Sequence, residues 1–232
     1  MFILLDHHTK TIQLLTDPRD FWIQVISIFI TGSAVIVALF QEKIKDRFNK
    51  ANLSVEIRLE TPDCHQIDLT NPETGQLVSK SLYIRIRVTN KSVDKIARNI
   101  EIIASNLWFI KNKKRQKVRW FLPMNLVWAH NHPITVTIPP KSFRLCDLGA
   151  FRPLFDGNTH FRFDTMVQPN PVSGGHIPNI IESGKYLLEV IISGENVKPE
   201  TIYWNLEFKK KWSDDESTMF KNVTIDKITY EI

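Results

Sequence analysis

The sequence predicts a mainly β chain: an antiparallel β-sandwich, immunoglobulin-like in type, preceded by one transmembrane helix. Residues 21–40, FWIQVISIFITGSAVIVALF, carry no charge, and about 20 apolar residues are what a helix needs to cross a bilayer. From Leu53 onward, short runs of alternating apolar and polar residues recur between turn-rich loops. Because no long amphipathic helix separates these runs, we expect consecutive strands to pair in antiparallel fashion.

Residues 18–50 are predicted to form the transmembrane helix and a basic extension. Asp17 can cap the helix, and Pro18 suits its first turn. A signal peptide is one alternative, but it requires a basic start and a shorter apolar core. A buried helix of a soluble protein is the other, and it is seldom this long without a charge. We therefore expect a single membrane span, with residues 1–17 as an N-terminal tail.

The charges that flank the span predict its orientation. Four basic residues follow it closely, whereas Lys10 and Arg19 precede it; the four are Lys43, Lys45, Arg47 and Lys50. Positively charged flanks are typical of the cytoplasmic side. This pattern predicts a single-pass protein of the inner membrane whose C-terminal domain, residues 51–232, lies in the cytoplasm.

The span also carries small and polar residues at helical spacing. The stripe consists of Gln24, Ser27, Thr31, Ala34, Ala38 and Gln41. In lipid, small side chains let helices approach each other, and polar ones form hydrogen bonds across the contact. The stripe predicts self-association into a homo-oligomer. Chance placement is the alternative, since Gly32 and Ser33 are also small and lie off the stripe.

The alternating pattern places the strands of residues 51–232. We expect them at residues 53–59, 82–88, 99–110, 134–138, 143–148, 185–193, 201–208 and 222–232. Residues 61–80 and 152–183 are rich in turn-forming residues, and both are expected to be loops.

Few residues are arranged as catalytic or metal-binding groups usually are. His130 and His132 form a His-x-His pair, but a metal site needs three or four ligands, and none stands at a matching spacing. The nucleophile, phosphate-loop and zinc-protease motifs are missing. Cys64 and Cys146 would be free thiols in a reducing compartment and could pair outside it. We therefore expect no enzyme, no metal and no cofactor.

The candidate binding site is a basic loop flanked by aromatic residues. It contains Trp108, Lys111, Lys113, Lys114, Arg115, Lys117, Arg119 and Trp120. Aromatic rings can stack on bases, and cations can meet phosphates, so this loop could bind a nucleotide or rest on anionic lipid. The net charge of +5 suits such partners. The alternative is structural, because hairpin tips are solvated and tryptophans at strand ends usually fill the core.

These features favour a membrane-anchored binding or sensing module that is not an enzyme. In the order of its parts, with residues 21–40 before the sandwich, the chain resembles small membrane effectors of bacterial antiviral systems, which join a spanning segment to a cytosolic nucleotide sensor. The resemblance implies the alternative function: a self-associating effector that disrupts the membrane when a ligand binds the sandwich. It covers only this layout and assigns no residue a role. The expected partners are the bilayer, further copies of the chain, an anionic ligand (nucleotide or anionic lipid) and an unidentified protein.

Overall fold

The chain, seen in a computed structural model, divides into two compact units, Met1–Asn49 and Lys50–Ile232. The structure describes residues 18–48, 50–130, 133–154, 156–172 and 174–228. The expected tail at 1–17, His132 of the His-x-His pair and the end of the last expected strand lie outside the described residues.

The described part of the first unit is a single helix, α1 (Pro18–Phe48). Its segment Phe21–Ala38 has a mean hydropathy of 2.1 and is 0% buried, so α1 is long and apolar enough to cross a membrane. All six residues of the predicted stripe are exposed. The Thr31 hydroxyl donates to the Ser27 carbonyl oxygen at 2.8 Å, which satisfies this donor within the helix itself.

The described residues of the second unit form fourteen strands and one short helix. In chain order these are β1 (Leu53–Ile57), β2 (Cys64–Thr70), β3 (Leu77–Asn90), β4 (Ala97–Lys111), β5 (Lys114–Lys117), β6 (Met124–Asn125), β7 (Val127–Trp128), β8 (Val136–Ile138), β9 (Phe143–Pro153), β10 (Thr159–Phe163), β11 (Ile180–Glu182), β12 (Gly184–Ser193), β13 (Glu200–Phe208), α2 (Glu216–Asn222) and β14 (Val223–Ile228).

Two sheets contain all of these strands. Sheet 1 has the order β1-β3-β9-β10-β11, with β2 also paired to β3 and β7 to β9. Sheet 2 has the order β14-β13-β12-β4-β5, with β6 and β8 also paired to β4. Every ladder between these strands is antiparallel. The prediction of a mainly β chain with antiparallel sheets is confirmed.

The inward faces of the two sheets share one hydrophobic core. Alternate residues of β3 (Leu82, Ile84, Ile86, Val88) and of β12 (Tyr186, Leu188, Val190, Ile192) belong to the same buried cluster. On one side β1 contacts β14 of the other sheet, and Lys227 donates its ammonium to the Val55 carbonyl oxygen at 3.4 Å. On the other side the sheets end at the edge strands β11 and β5.

Two segments expected to be loops contain strands. Residues 61–80 hold β2 and the start of β3, and residues 152–183 hold the end of β9, all of β10 and all of β11. β2 was missed because it lies at an edge, where its backbone pairs with β3 without needing an apolar face. β10 does carry a signal, since Thr159, Phe161 and Phe163 are buried and alternate with polar residues. The surrounding prolines and glycines hid this short run.

Two buried ion pairs brace the outer face of sheet 1. The fully buried carboxylate of Asp63 accepts hydrogen bonds from Arg87 at 2.7 and 2.5 Å. Arg85 donates to Asp147 at 2.8 Å, directly across the β3–β9 ladder. The Arg87 guanidinium also lies 3.8 Å from the centre of the Phe143 ring. Asp63 precedes β2, so this pair ties the β1–β2 connection to β3.

Removing the Asp63 carboxylate should destabilise the chain strongly. Asp63→Ala leaves the largely buried Arg87 without its counter-charge, and breaking such a pair typically costs about 3–5 kcal/mol. The measurement is denaturant unfolding of the full chain in non-ionic detergent, followed by tryptophan fluorescence. Glu207→Ala, which breaks the exposed Lys185–Glu207 pair on the other sheet, is the matched control and should cost less than about 1 kcal/mol. Equal losses in the two variants would show that the buried pair is not special.

Candidate functional site

The basic loop of the sequence is a two-residue hairpin between β4 and β5. Asn112 and Lys113 form its turn with φ values of 51° and 60°, which is the backbone of a type I′ turn. The register pairs Trp108 with Lys117, Phe109 with Gln116, Ile110 with Arg115, and Lys111 with Lys114. Since side chains alternate across a strand, these four pairs divide between the two faces of the hairpin.

One face of the hairpin turns toward the interior of the sandwich. Leu107 is fully buried in the core, and Phe109, two residues on, packs against the same cluster. Lys111 and its partner Lys114 are the next pair on this face, about 7 Å further toward the tip. Both lysines are exposed. One face of the hairpin therefore carries the Phe109 ring and, nearer the tip, the cations of Lys111 and Lys114.

A cavity of about 460 Å³ opens at this face. It lies where β11, the edge of sheet 1, faces β4 and β5 at the edge of sheet 2. Its lining is mostly aromatic and aliphatic, with a few polar groups: Phe109, Gln116, Lys117, Val118, Trp120, Gly175, His176, Ile177, Ile180, Ile181, Glu182, Ser183 and Tyr186. Apolar walls with a few polar groups are typical of small-molecule sites.

Ring contacts shape the cavity walls. The rings of Phe109 and Tyr186 lie 5.2 Å apart at the inner end. Trp120 stacks on His176 with 4.3 Å between ring centres and 13° between planes. Gly184 carries the chain from β11 into β12 beside Phe109, and a Cβ atom there would lie 2.7 Å from Phe109 Cε2. Glycine at this position thus lets the chain pass close behind the cavity wall.

The opposite face of the hairpin belongs to a different cluster. Trp108 lies there on the outer surface of sheet 2, near Glu189 of β12. The Glu189 carboxylate accepts hydrogen bonds from Ser105 at 2.7 Å, Asn106 at 2.6 Å and Tyr203 at 2.8 Å. Burial alone would raise the pKa of Glu189, but these hydrogen bonds and the Lys117 charge lower it below its ordinary value. The carboxylate is satisfied within the protein.

The predicted site residues are therefore divided by the fold. Trp120 and Lys117 are among the cavity-lining residues, but Lys117 pairs with Trp108 and its charge acts on Glu189 at the opposite face. Lys111 and Lys114 lie beyond Phe109 on the cavity face of the hairpin, outside the lining itself. Trp108 and Arg115 lie on the opposite face, Lys113 is in the turn, and Arg119 is exposed after β5. Trp108 is half-buried on the outer surface of sheet 2 and is not part of the core cluster.

The histidines and cysteines do not form a reactive centre in the described residues. His130 is exposed with φ 65°, and no group of three or more His, Cys, Asp or Glu in the described ranges is placed to hold a metal. Cys64 and Cys146 are free and buried in the core. Burial raises the pKa of Cys64 to about 12 and that of Cys146 well above its ordinary value, so both thiols stay protonated at neutral pH.

Several cavity residues were missed from the sequence. Phe109 could have been found, because it alternates in phase with the buried Leu107. Tyr186, His176 and Ile180 could not, because they reach the cavity through long-range pairing of β11 and β12. Models of known protein families, curated proteins and solved structures give no match to this chain.

Proposed function

We propose that this chain is a membrane-anchored binding module whose cavity takes a ligand that joins a flat apolar group to a negative charge. The observation that carries this proposal is that Phe109, which lines the aromatic cavity, shares one face of the hairpin with the exposed pair Lys111 and Lys114. A nucleotide has this chemistry in its planar base and its phosphate, whereas an anionic lipid joins its negative charge to flexible acyl chains. An immunoglobulin-like arrangement of the sheets is part of the proposal, and two antiparallel sheets around one core support it.

The aromatic residues at the cavity and the lysines near the hairpin tip would contribute to binding in different ways. A ring that enters between Phe109, Trp120 and Tyr186 leaves water and gains about 25 cal/mol per Å² of apolar surface buried. Its charged group would remain at the mouth, where the exposed lysines keep their hydration and still attract it. Binding rather than catalysis is proposed because the buried thiols are protonated and Glu189 is held by three hydrogen bonds.

The membrane part of the proposal is a single-pass anchor in the inner membrane with the β domain in the cytoplasm. The length and apolarity of Phe21–Ala38 support a span. The excess of basic residues after the span supports the orientation.

A second candidate function is a membrane effector that works by self-association. It is favoured by the stripe on α1, whose six residues are all exposed. Because Thr31 already donates to Ser27, the amides of Gln24 and Gln41 would supply donors between helices. Ligand binding to the β domain would then control assembly of the anchors.

Naphthalene-1-sulfonate, an aromatic anion, should bind the full chain in nanodiscs, as measured by calorimetry against empty nanodiscs. Trp120→Leu removes an aromatic wall and should weaken binding about tenfold. Lys111→Ser/Lys114→Ser should weaken it about fivefold to tenfold through lost charge attraction. The matched control, Lys113→Ser/Arg115→Ser, removes the same charge from the same hairpin but away from the cavity face. No saturable binding, or equal losses in both double variants, would contradict the proposed site.

Protease should leave the β domain intact in spheroplasts and digest it in inverted membrane vesicles. The physical reason is that the basic flank after the span keeps the domain on the cytoplasmic side. Detergent-opened spheroplasts serve as the control for protease sensitivity. Digestion in intact spheroplasts would reverse the proposed orientation.

Ser27→Leu/Thr31→Leu should reduce self-association of the chain in nanodiscs or micelles, measured by subunit photobleaching. Larger side chains on the stripe keep helices apart, and the association constant should fall about tenfold. The control is Val25→Leu/Ser33→Leu, which enlarges side chains on the side of α1 away from the stripe. A monomeric parent chain, or equal effects of the two variants, would exclude the stripe as a contact.

A further inference from the structure

The outer face of sheet 1 carries four arginines that differ in their partners. Arg85 and Arg87 of β3 are each paired with an aspartate, as described above. Arg152 of β9 and Arg162 of β10 make no ion pair with any described residue. Their guanidinium groups donate instead to neutral oxygens, Arg152 to the Tyr83 hydroxyl at 3.3 Å and Arg162 to the Gln168 amide oxygen.

Arg152 and Arg162 converge around a small residue. Ala150 stands between Tyr83 of β3 and Arg162 of β10 in the ladder, and Arg152 is the next residue of β9 on the same face. His160 lies directly opposite Arg152. Ala150 is only 1% exposed although it is outside the core cluster, so the longer side chains around it cover it. The strand register therefore places two arginines and a histidine around Ala150 on one face of the sheet.

The strands that carry this group are held close together. Gly149 precedes Ala150 with φ 155°, and a Cβ atom at Gly149 would lie 2.2 Å from the Arg162 carbonyl oxygen. Only glycine allows this approach of β9 to β10. The positions of Arg152, His160 and Arg162 are thus set by the backbone rather than by a flexible loop.

Two donors or acceptors in the group have no partner in the described structure. Arg152 Nε and His160 Nδ1 are both inaccessible to solvent and make no hydrogen bond to a described residue. A buried polar group without a partner costs about 1–3 kcal/mol, so a shift of the covering side chains that lets an acceptor reach these atoms would be favourable. Burial lowers the pKa of His160, the charges of Arg152 and Arg162 lower it further, and a hydrogen bond to the Arg152 backbone offsets part of this. Glu182, across from His160 on β11, is exposed and pairs with neither arginine.

We propose that Arg152, Arg162 and His160 form a binding site for a phosphate group on the outer face of sheet 1, independent of the cavity. Guanidinium groups match phosphate oxygens in planar, two-point contacts, and an imidazole N–H adds a third donor. The bound anion supplies the counter-charge that the aspartates supply to Arg85 and Arg87. The phosphate belongs either to a soluble ligand or to a lipid headgroup.

The test is calorimetric titration of the full chain in a phosphate-free maltoside detergent with inorganic phosphate and with pyrophosphate. Saturable binding is expected, and Arg152→Gln and Arg162→Gln should each weaken it about tenfold. Arg144→Gln removes an exposed arginine from the same strand and should leave affinity unchanged. No saturable binding, or an equal loss with Arg144→Gln, overturns the site.

A second measurement uses the unmodified chain, so its result does not depend on whether the variants fold. In histidine-labelled protein, phosphate should shift the NMR signals of His160 and raise its pKa, because the anion offsets the charges of Arg152 and Arg162. Tyr83 and His65 on the neighbouring strands and Glu182 on β11 are the titratable groups nearest to His160 in the ladders of this face, and the pairs Arg85–Asp147 and Arg87–Asp63 lie further along it. If micelles containing phosphatidylglycerol produce the same shift and compete with pyrophosphate, the source is a lipid headgroup; if they do not, it is a soluble phosphate. An unchanged His160 signal with every anion overturns the proposal.

Discussion

A chain of contacting aromatic rings between the two sheets is the interaction on which the β domain depends. Phe163, Phe161 and Phe151 of sheet 1 are in ring contact, with centres 4.9 and 4.6 Å apart. Phe151 then meets Phe208 of sheet 2 at 4.9 Å. Facing sheets lie about 10 Å apart, and rings of this size fill that gap while burying large apolar surfaces. The series continues through Tyr186 to Phe109, where the core ends as the wall of the cavity.

The cavity follows from how the two edges of the sandwich differ. At one edge β1 and β14 meet, and the core is closed. At the other edge, β11 has only three residues and the β4–β5 hairpin projects beyond it, so the apolar interior reaches the surface. The exposed Lys111 and Lys114 lie on the same hairpin face as the cavity residue Phe109. The walls of the cavity are therefore continuous with the same apolar faces that stabilise the fold.

Polar groups on the outer sheet faces show what the protein itself satisfies. Asp63 and Asp147 neutralise two arginines, and Glu189 receives three hydrogen bonds. Arg152 and Arg162 are placed by equally regular strands but without a carboxylate partner in the described residues. Because buried or half-buried charges are costly unless compensated, the contrast within one sheet is what singles out this group.

Sequence alone determined the apolar span, the strands with clean two-residue alternation and the basic hairpin, because each is a local pattern of charge and hydrophobicity. The spacing of Leu107, Phe109 and Lys111 even places these side chains on one face of β4. Tertiary structure decided which distant residues lie side by side. Trp120 stacks on His176, and Arg152 and Arg162 come to flank Ala150, only after segments distant in sequence have packed together. Those pairings depend on how whole sheet faces pack, and no local stretch of sequence contains that information.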